Sequence, residues 1–399
     1  MRTFEKTHPW LKFQVNLSAA PATLWILLGE CQSKCEHISW APLLPETQKT
    51  LHKLYLAKGS LATTAIEGNT LSEKEVLLHL ERKLRLPPSK EYLAREVDNI
   101  VDACNSILTG AMQEGDLPLT IERFKDFNRK VLRGLSLDEE VVPGELRKHS
   151  VGVSRYKAPP AEDCEFLLDQ LCQWLNSDVF SPREGMVIVH AVIKAVLAHL
   201  YLAWIHPFGD GNGRTARLVE FQILITAGVP APAAHLLSNH YNQTRSEYYR
   251  QLDRASRAGG EVIPFLMYAV QGFADGLRNQ LEEIRNQQWN VVWRDYIWKN
   301  FREKTSPADL RRRQLIFALS KMSEPIPLAK LPEIDTRLAV AYADRTAKTL
   351  SRDVNELIEM GLLVKSRNRV RARTEAIFGF LPVGTTWQET WQWVMGTSI

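Results

Sequence analysis

The sequence predicts an all-α protein with one small β-hairpin, followed by a C-terminal winged helix-turn-helix. Three observations lead there. Apolar residues recur at three- and four-residue spacing through most of residues 46–286, the period of helices with one buried face. A single stretch, 141–160, breaks that period with Gly144, Gly152, Pro143, Pro159 and Pro160. After Trp289–Pro307 the order becomes helix, extended piece, two helices and two strand-like pieces, the order of a winged helix-turn-helix.

The helices expected are 46–66, 72–84, 90–109, 120–133, 162–176, 184–205, 213–227, 245–257 and 261–286. Ser72 stands three residues before Glu75 in capping-box spacing, and Thr120 is placed to cap the helix that follows it. The most apolar window, Met186–Trp204, contains Lys194, His190 and His199. A membrane span needs about twenty residues with few charges, so a buried helix is expected, and no membrane contact. Within 141–160, Ser150 to Tyr156 alternates like a short strand, predicting a hairpin or extended flap. Further on, helices are expected at 308–320, 339–343 and 345–360, an extended piece at 325–334, and strands at 362–366 and 369–373. Trp387–Met395 reads as a short amphipathic segment packing on a neighbouring domain. The organisation expected is a helical region over 1–110, a core over 111–288, and a linker helix with the winged module over 289–399.

Hydrophobic content of 45% with 24% charged residues is ordinary for a globular protein. A net charge of +4 over 399 residues neither requires nor excludes a nucleic-acid partner. The five cysteines (Cys31, Cys35, Cys104, Cys164, Cys172) are odd in number and form no CxxC pair, which points to reduced thiols rather than a disulfide framework. Met1–Trp10 lacks an apolar signal core, so a cytoplasmic location is expected.

The segment His206-Pro207-Phe208-Gly209-Asp210-Gly211-Asn212-Gly213-Arg214-Thr215-Ala216-Arg217 concentrates chemistry. Gly211 and Gly213 flank Asn212 just before a helix, so successive backbone N–H groups can converge on one anion. Arg214 and Arg217 follow one turn apart and offer forked donors for phosphate oxygens. Asp210 among these positive groups suits a magnesium ion bridging the same phosphates. His206 is the group able to take a proton near neutral pH. A Rossmann fingerprint fails for want of a third glycine, the Walker pattern for want of Gly-Lys-Ser/Thr, and an EF-hand because Arg214 and Phe221 stand where ligands belong. The implied reaction is attack by a hydroxyl on a nucleotide phosphate.

These twelve residues resemble the Fic motif, HPFx(D/E)GNGRxxR, in full. The resemblance runs from about residue 60 to 275 and implies a helical core with the motif between two central helices. It implies transfer of AMP from ATP to a Ser, Thr or Tyr hydroxyl of a target protein. His206 would be the general base, Asp210 the Mg2+ ligand, and Gly211, Asn212, Gly213, Arg214 and Arg217 the nucleotide phosphate contacts. Phe208 would anchor the loop. The intact Gly-Asn-Gly-Arg favours AMP transfer over the phosphorylating Doc branch. Val151, Gly152, Val153 and Ser154 lie where the family has its flap, which holds the target by strand pairing. Tyr248 and Tyr249 lie where adenine is held, while Ser256 replaces the usual Asn, leaving transfer of another nucleotide such as UMP open. Self-modification and a homodimer are further expectations from relatives.

Thr63-Thr64-Ala65-Ile66-Glu67-Gly68 is similar to the family's inhibitory motif, (S/T)xxxE(G/N). Its Glu67 is expected to pair with Arg217, occupying a guanidinium that the γ-phosphate needs. In some related proteins this glutamate also supports removal of AMP.

His190, His199, His235 and His240 lack the constellation of a zinc site, so packing or hydrogen-bonding roles are expected. Residues 300–373 hold sixteen Lys/Arg against nine Asp/Glu, an excess of +7. Arg345, Lys348 and Arg352 share a helix, and Lys365, Arg367, Arg369, Arg371 and Arg373 crowd the wing. This footprint suits DNA phosphates, or equally a solvated face on a module used for packing. The rival class is a DNA-binding regulator whose core senses nucleotide.

Overall fold

The structure is a computed structural model, which describes residues 2–115, 117–153 and 156–379. It divides into two compact units, Met1–Leu281 and Glu282–Ile399, so residues 1–110 fall in the same unit as the segment up to 281.

The first unit is built from α1 (Phe4–Thr7), α2 (Ala22–Ser39), α3 (Pro45–Ala65), α4 (Glu73–Leu80), α5 (Glu91–Glu114) and α6 (Ile121–Leu132). After them come α7 (Cys164–Leu175), α8 (Val187–Ile205), α9 (Asn212–Thr226), α10 (Ala231–Ala234), α11 (Leu236–Gln243) and α12 (Arg245–Arg257). Helix α13 (Ile263–Asn300) runs through the division. The axis of the fold is the pair α8 and α9. α8 is apolar on every side and is accordingly buried on nearly every side. It is the one described helix long and apolar enough to cross a membrane, and 83% of its apolar 18-residue window is buried inside the protein. α2 and α7 pack on α8, while α3, α5 and α6 pack on α9.

The local signals act as expected. Ser72 and Glu75 form a complete capping box on α4, and Thr120 accepts from Arg123 N–H at 3.1 Å to start α6. The hairpin is short: β1 (Gly152–Val153) pairs antiparallel with β2 (Tyr156–Lys157), Gly152 facing Lys157. All five cysteines are free and buried.

Four helices of this unit escape the sequence pattern, of which α1 and α10 are single turns of four residues. α2 buries Leu24, Leu27, Leu28, Cys31 and Cys35 in a regular stripe, but Trp25 and Ile26 stand exposed beside it and blur the period. α11 spans only two turns. α13 continues past the expected end at 286 to Asn300.

The second unit contains α14 (Pro307–Leu319), β3 (Ile326–Pro327), α15 (Thr336–Tyr342), α16 (Ala347–Glu359), β4 (Leu363–Ser366) and β5 (Arg369–Ala372). The strands form an antiparallel sheet in the order β3-β5-β4. The extended piece expected over 325–334 is a strand only at 326–327, because 328–333 winds into a 3-10 turn containing Pro332. The helix expected at 339–343 starts at Thr336, where Asp335 caps it. Asp353 is buried and accepts from Arg311 Nε at 2.6 Å, Arg312 Nε at 2.9 Å and the Tyr342 hydroxyl at 3.0 Å. The Trp387–Met395 segment lies outside the described residues.

Candidate active site

α8 ends at His206, whose backbone sits in the left-handed region (φ 48°, ψ 58°), a conformation uncommon for a residue with a side chain. The loop that follows is fixed from both sides. Asn212 accepts from Phe208 N–H at 2.9 Å and returns its amide to Phe208 C=O at 2.8 Å. The Phe208 ring itself is buried. Asn128 of α6 donates to Asp210 C=O at 2.8 Å and accepts from Gly144 N–H at 2.9 Å. Gly211 has φ 75°, and a Cβ there would press on Asn128 and Leu132 at 3.1 Å. Backbone conformation and close approach both call for glycine.

Arg147 is the residue that sequence reasoning missed most clearly. It is buried and donates to the carbonyls of His206 (2.7 Å), His149 (2.9 Å) and Pro159 (2.6 Å). Its own N–H donates to Pro207 C=O at 3.0 Å. One side chain therefore ties the flap region to the turn carrying His206. Burial holds its guanidinium below the ordinary arginine range. The signal available was a single arginine just after the Pro143-Gly144 turn, too common to stand out.

α9 begins at Asn212, and its first backbone N–H groups have no carbonyl a turn earlier. Arg214 and Arg217, on the first two turns of this helix, are both buried. The Asn212 side chain is committed to Phe208, so its share in holding an anion falls to its backbone N–H. Arg217 donates to Glu67 Oε1 at 2.5 Å and to Thr63 C=O at 3.0 Å. Its Nε and Nη1 have no hydrogen-bond partner among the described residues. Glu67 sits in the turn after α3, and its carboxylate lies so near Gly213 that a Cβ at that position would collide with it. Burial pushes the Glu67 carboxyl upward, but the charges and hydrogen bond of Arg217, with Arg214 and His206 behind, leave it below the usual carboxylate range.

His206 places Nδ1 3.3 Å from Ala203 C=O. If Nδ1 carries the proton, Nε2 keeps its lone pair. Burial is the main cause holding its pKa below the free-imidazole value. Arg147 acts in the same direction, and Ala203 C=O, Glu67 and Asp210 oppose it.

A cavity of about 640 Å³ opens over these groups, lined by Glu67, His206, Gly213, Tyr248, Tyr249 and Ser256 among others. Tyr248 is buried, with His199 Nε2 2.8 Å from its hydroxyl, whereas Tyr249 is 38% exposed at the mouth. Ser256 turns its hydroxyl to Asp253 C=O at 2.9 Å. The flap reaches the same cavity through Tyr156, whose hydroxyl donates to Trp204 C=O at 2.7 Å. Val151, Gly152 and Val153 carry the flap backbone, with Val151 C=O accepting from Ala158 N–H at 3.1 Å; Ser154 lies outside the described residues.

Among the described residues no group of three or more His, Cys, Asp or Glu is placed to hold a metal ion. Asp210 supplies one half-exposed carboxylate, 3.3 Å from Arg214. That donor fits an ion arriving with phosphate oxygens rather than one the chain holds alone. His235 stacks on Phe221 at 4.6 Å, with burial pushing its pKa down to about 4, and His190 turns Nδ1 to Met186 C=O at 2.9 Å.

Residues 118–224 match the Fic/DOC family model. The chain is 30% identical over 209 residues to the protein adenylyltransferase Fic of Nematostella vectensis, covering 52% of this chain and 45% of that one. It is 26% identical over 279 residues to the protein adenylyltransferase fic-1 of Caenorhabditis briggsae, covering 69% and 50%. The chain thus spans about half the length of these curated relatives. Its fold is similar to a crystallised Fic family protein from Desulfovibrio desulfuricans G20, with TM-score 0.53, 20% identity and coverage of 90% and 97%. Fic-1 of C. elegans is similar in fold with TM-score 0.52, 24% identity and coverage of 66% and 73%. The loop from His206 to Arg217 lies inside the stretch that matches the Fic/DOC family model.

Proposed function

We propose that this protein is an adenylyltransferase that moves AMP from ATP to a Ser, Thr or Tyr hydroxyl of a target protein, and that Glu67 holds it inactive. The observation that carries the reading is the convergence of His206, Gly213 and Glu67 on one cavity, with Glu67 bonded to the buried Arg217. In the transfer step His206 Nε2 takes the proton as the acceptor oxygen bonds to the α-phosphorus. The bond from that phosphorus to the β-phosphate bridging oxygen breaks, and pyrophosphate leaves. The N–H groups opening α9, with Arg214 and Arg217, hold the phosphates. Mg2+ entering with ATP would be held by Asp210 and would neutralise and orient the phosphates. Tyr248, Tyr249 and Ser256 form the base pocket, so the nucleotide preference depends on them. The flap edge at Val151–Gly152 would pair with the target backbone. With Glu67 in place the same site would also suit hydrolytic removal of AMP. A cytoplasmic location, self-modification and a homodimer belong to the same reading.

The test is mass spectrometry of the protein incubated with ATP and magnesium. A gain of one AMP in Glu67→Gly, absent when His206→Ala is added, supports it; no gain in any form overturns it. Competition among nucleoside triphosphates identifies the base.

The second unit is read as a winged helix-turn-helix, from its helix–strand–helix–helix–strand–strand order and three-stranded sheet. A second reading of the protein, as a DNA-binding regulator, is favoured by Arg345, Lys348, Arg352, Lys365, Arg367 and Arg369, all exposed around α16 and the β4–β5 hairpin. Sequence-selective binding that survives moderate salt would support it, whereas binding that is non-selective and lost in salt would not.

A further inference from the structure

Arg214 is held by a residue that the reaction above does not use. Glu96, on α5, sets Oε1 3.3 Å from Arg214 Nη1, and its Oε2 accepts from the Asn69 amide at 2.8 Å. Asn69 is itself fixed, donating to Leu93 C=O at 2.8 Å and accepting from Leu71 N–H at 3.0 Å. Asn69 follows Glu67 by two residues. The turn that brings Glu67 to Arg217 therefore also brings Asn69 to the carboxylate behind Arg214.

The two carboxylates stand differently toward the cavity. Glu67 is part of its lining and Glu96 is not. Glu67 occupies space beside Gly213 that a phosphate would use, whereas Glu96 meets Arg214, which like it stands outside the lining. Arg214 has its second arm, Nη2, 3.3 Å from Asp210 Oδ1, and Asp210 is half-exposed. One arm of the fork is thus held by the more buried carboxylate, Glu96, and the other by the more exposed one, Asp210. An arginine so anchored loses little freedom when it bonds a phosphate, and a preset donor contributes more than a mobile one.

We infer that Glu96 is a positioning residue for Arg214: held by Asn69, it fixes the guanidinium so that the arm now paired with the half-exposed Asp210 can turn to the nucleotide phosphates. The inference rests on the proposed phosphate role of Arg214. It links the inhibitory turn to both cradle arginines, to Arg217 directly through Glu67 and to Arg214 through Asn69 and Glu96.

The test is titration calorimetry of the full chain with Mg–ADP, which needs no transfer step. Glu96→Gln keeps size and can still accept from Asn69, but removes the charge that holds Arg214. It is expected to weaken ADP binding about tenfold, the scale of one charge-assisted hydrogen bond, with an unchanged melting temperature. In the Glu67→Gly background the same change should raise the KM for ATP by a similar factor and leave kcat within about threefold. ADP affinity equal to the parent overturns the inference. Tighter binding overturns it too, and would make Glu96 a second inhibitory carboxylate. Absence of AMP transfer in Glu67→Gly sinks the proposed function instead, while the ADP titration still decides the role of Glu96.

Discussion

Arg217 Nη2 donates to Glu67 Oε1 at 2.5 Å across 150 residues of sequence. The Arg217 side chain is 1% exposed and the Glu67 side chain 31%. The pair joins the turn after α3 to the second turn of α9, at the edge of the nucleotide-sized cavity. A buried guanidinium needs a counter-charge, and here the counter-charge stands where a phosphate would serve equally well. Glu67→Gly should therefore raise AMP incorporation by about tenfold or more, the scale of freeing one charged donor at a phosphate. It should also lower the melting temperature of the apo protein, and Mg–ATP should restore more stability to it than to the parent. Radiolabel transfer and thermal shift check both; equal labelling with an equal ATP-induced shift would contradict the exchange.

The pH dependence follows from His206. Its pKa lies below the ordinary histidine value through burial first and Arg147 next. The fold thus favours the neutral ring, whose stabilising contribution is complete above about pH 6.5 and is lost as pH falls from there. As the proposed base, His206 should accordingly stay competent in mild acid. In Glu67→Gly, kcat/KM for transfer should hold down through pH 6.5 and fall only below it. Removing Glu67 also removes a charge that raises the His206 pKa, so the fall should not move upward. An acid limb centred above 6.5 would contradict the assignment.

Arg147 offers a test of how the segments flanking the β1–β2 hairpin and the His206 turn are coupled. Its guanidinium serves three well-placed carbonyls from two segments, and no lysine can span them at once. Arg147→Lys should destabilise the protein by about 2–3 kcal/mol, read as a shift in the urea midpoint. AMP transfer should fall about tenfold as the His206 turn loosens. Unchanged activity at unchanged stability would make the contact incidental.

Much of this was legible because its signals are local. The caps at Ser72 and Thr120, the glycines at 211 and 213, and the apolar run of α8 each act within a few residues. The pairing of Glu67 with Arg217 was legible through motif resemblance alone, since no periodicity links positions so far apart. Asn128, Arg147, Glu96 and Asn69 were not legible. Each is a single polar residue on an otherwise ordinary helix or turn, and its importance arises only when the fold brings a carbonyl, a carboxylate or a guanidinium to it. Asn212 carries the same lesson within the motif. Phosphate contact is expected of it, and its side chain has a further role, bonding Phe208 and shaping the loop.

Gly213 allows the Glu67 contact to be separated from ordinary helix energetics. A Cβ there would collide with Glu67 Oε1, while its other near neighbours are the Arg217 guanidinium nitrogens at 3.1 and 3.2 Å. Those nitrogens end a long side chain and can shift once Glu67 is gone. In the parent, Gly213→Ala should cost about 1–2 kcal/mol, because the carboxylate must leave Arg217. In Glu67→Gly the same change should be neutral or stabilise by up to about 1 kcal/mol, the ordinary gain of Ala over Gly in a helix. The double-mutant cycle, read by denaturant unfolding, should therefore show a coupling of about 1–3 kcal/mol. Additive effects would mean that the glutamate does not rest against the Gly213 backbone, and the proposed steric exclusion by Glu67 would lose its basis.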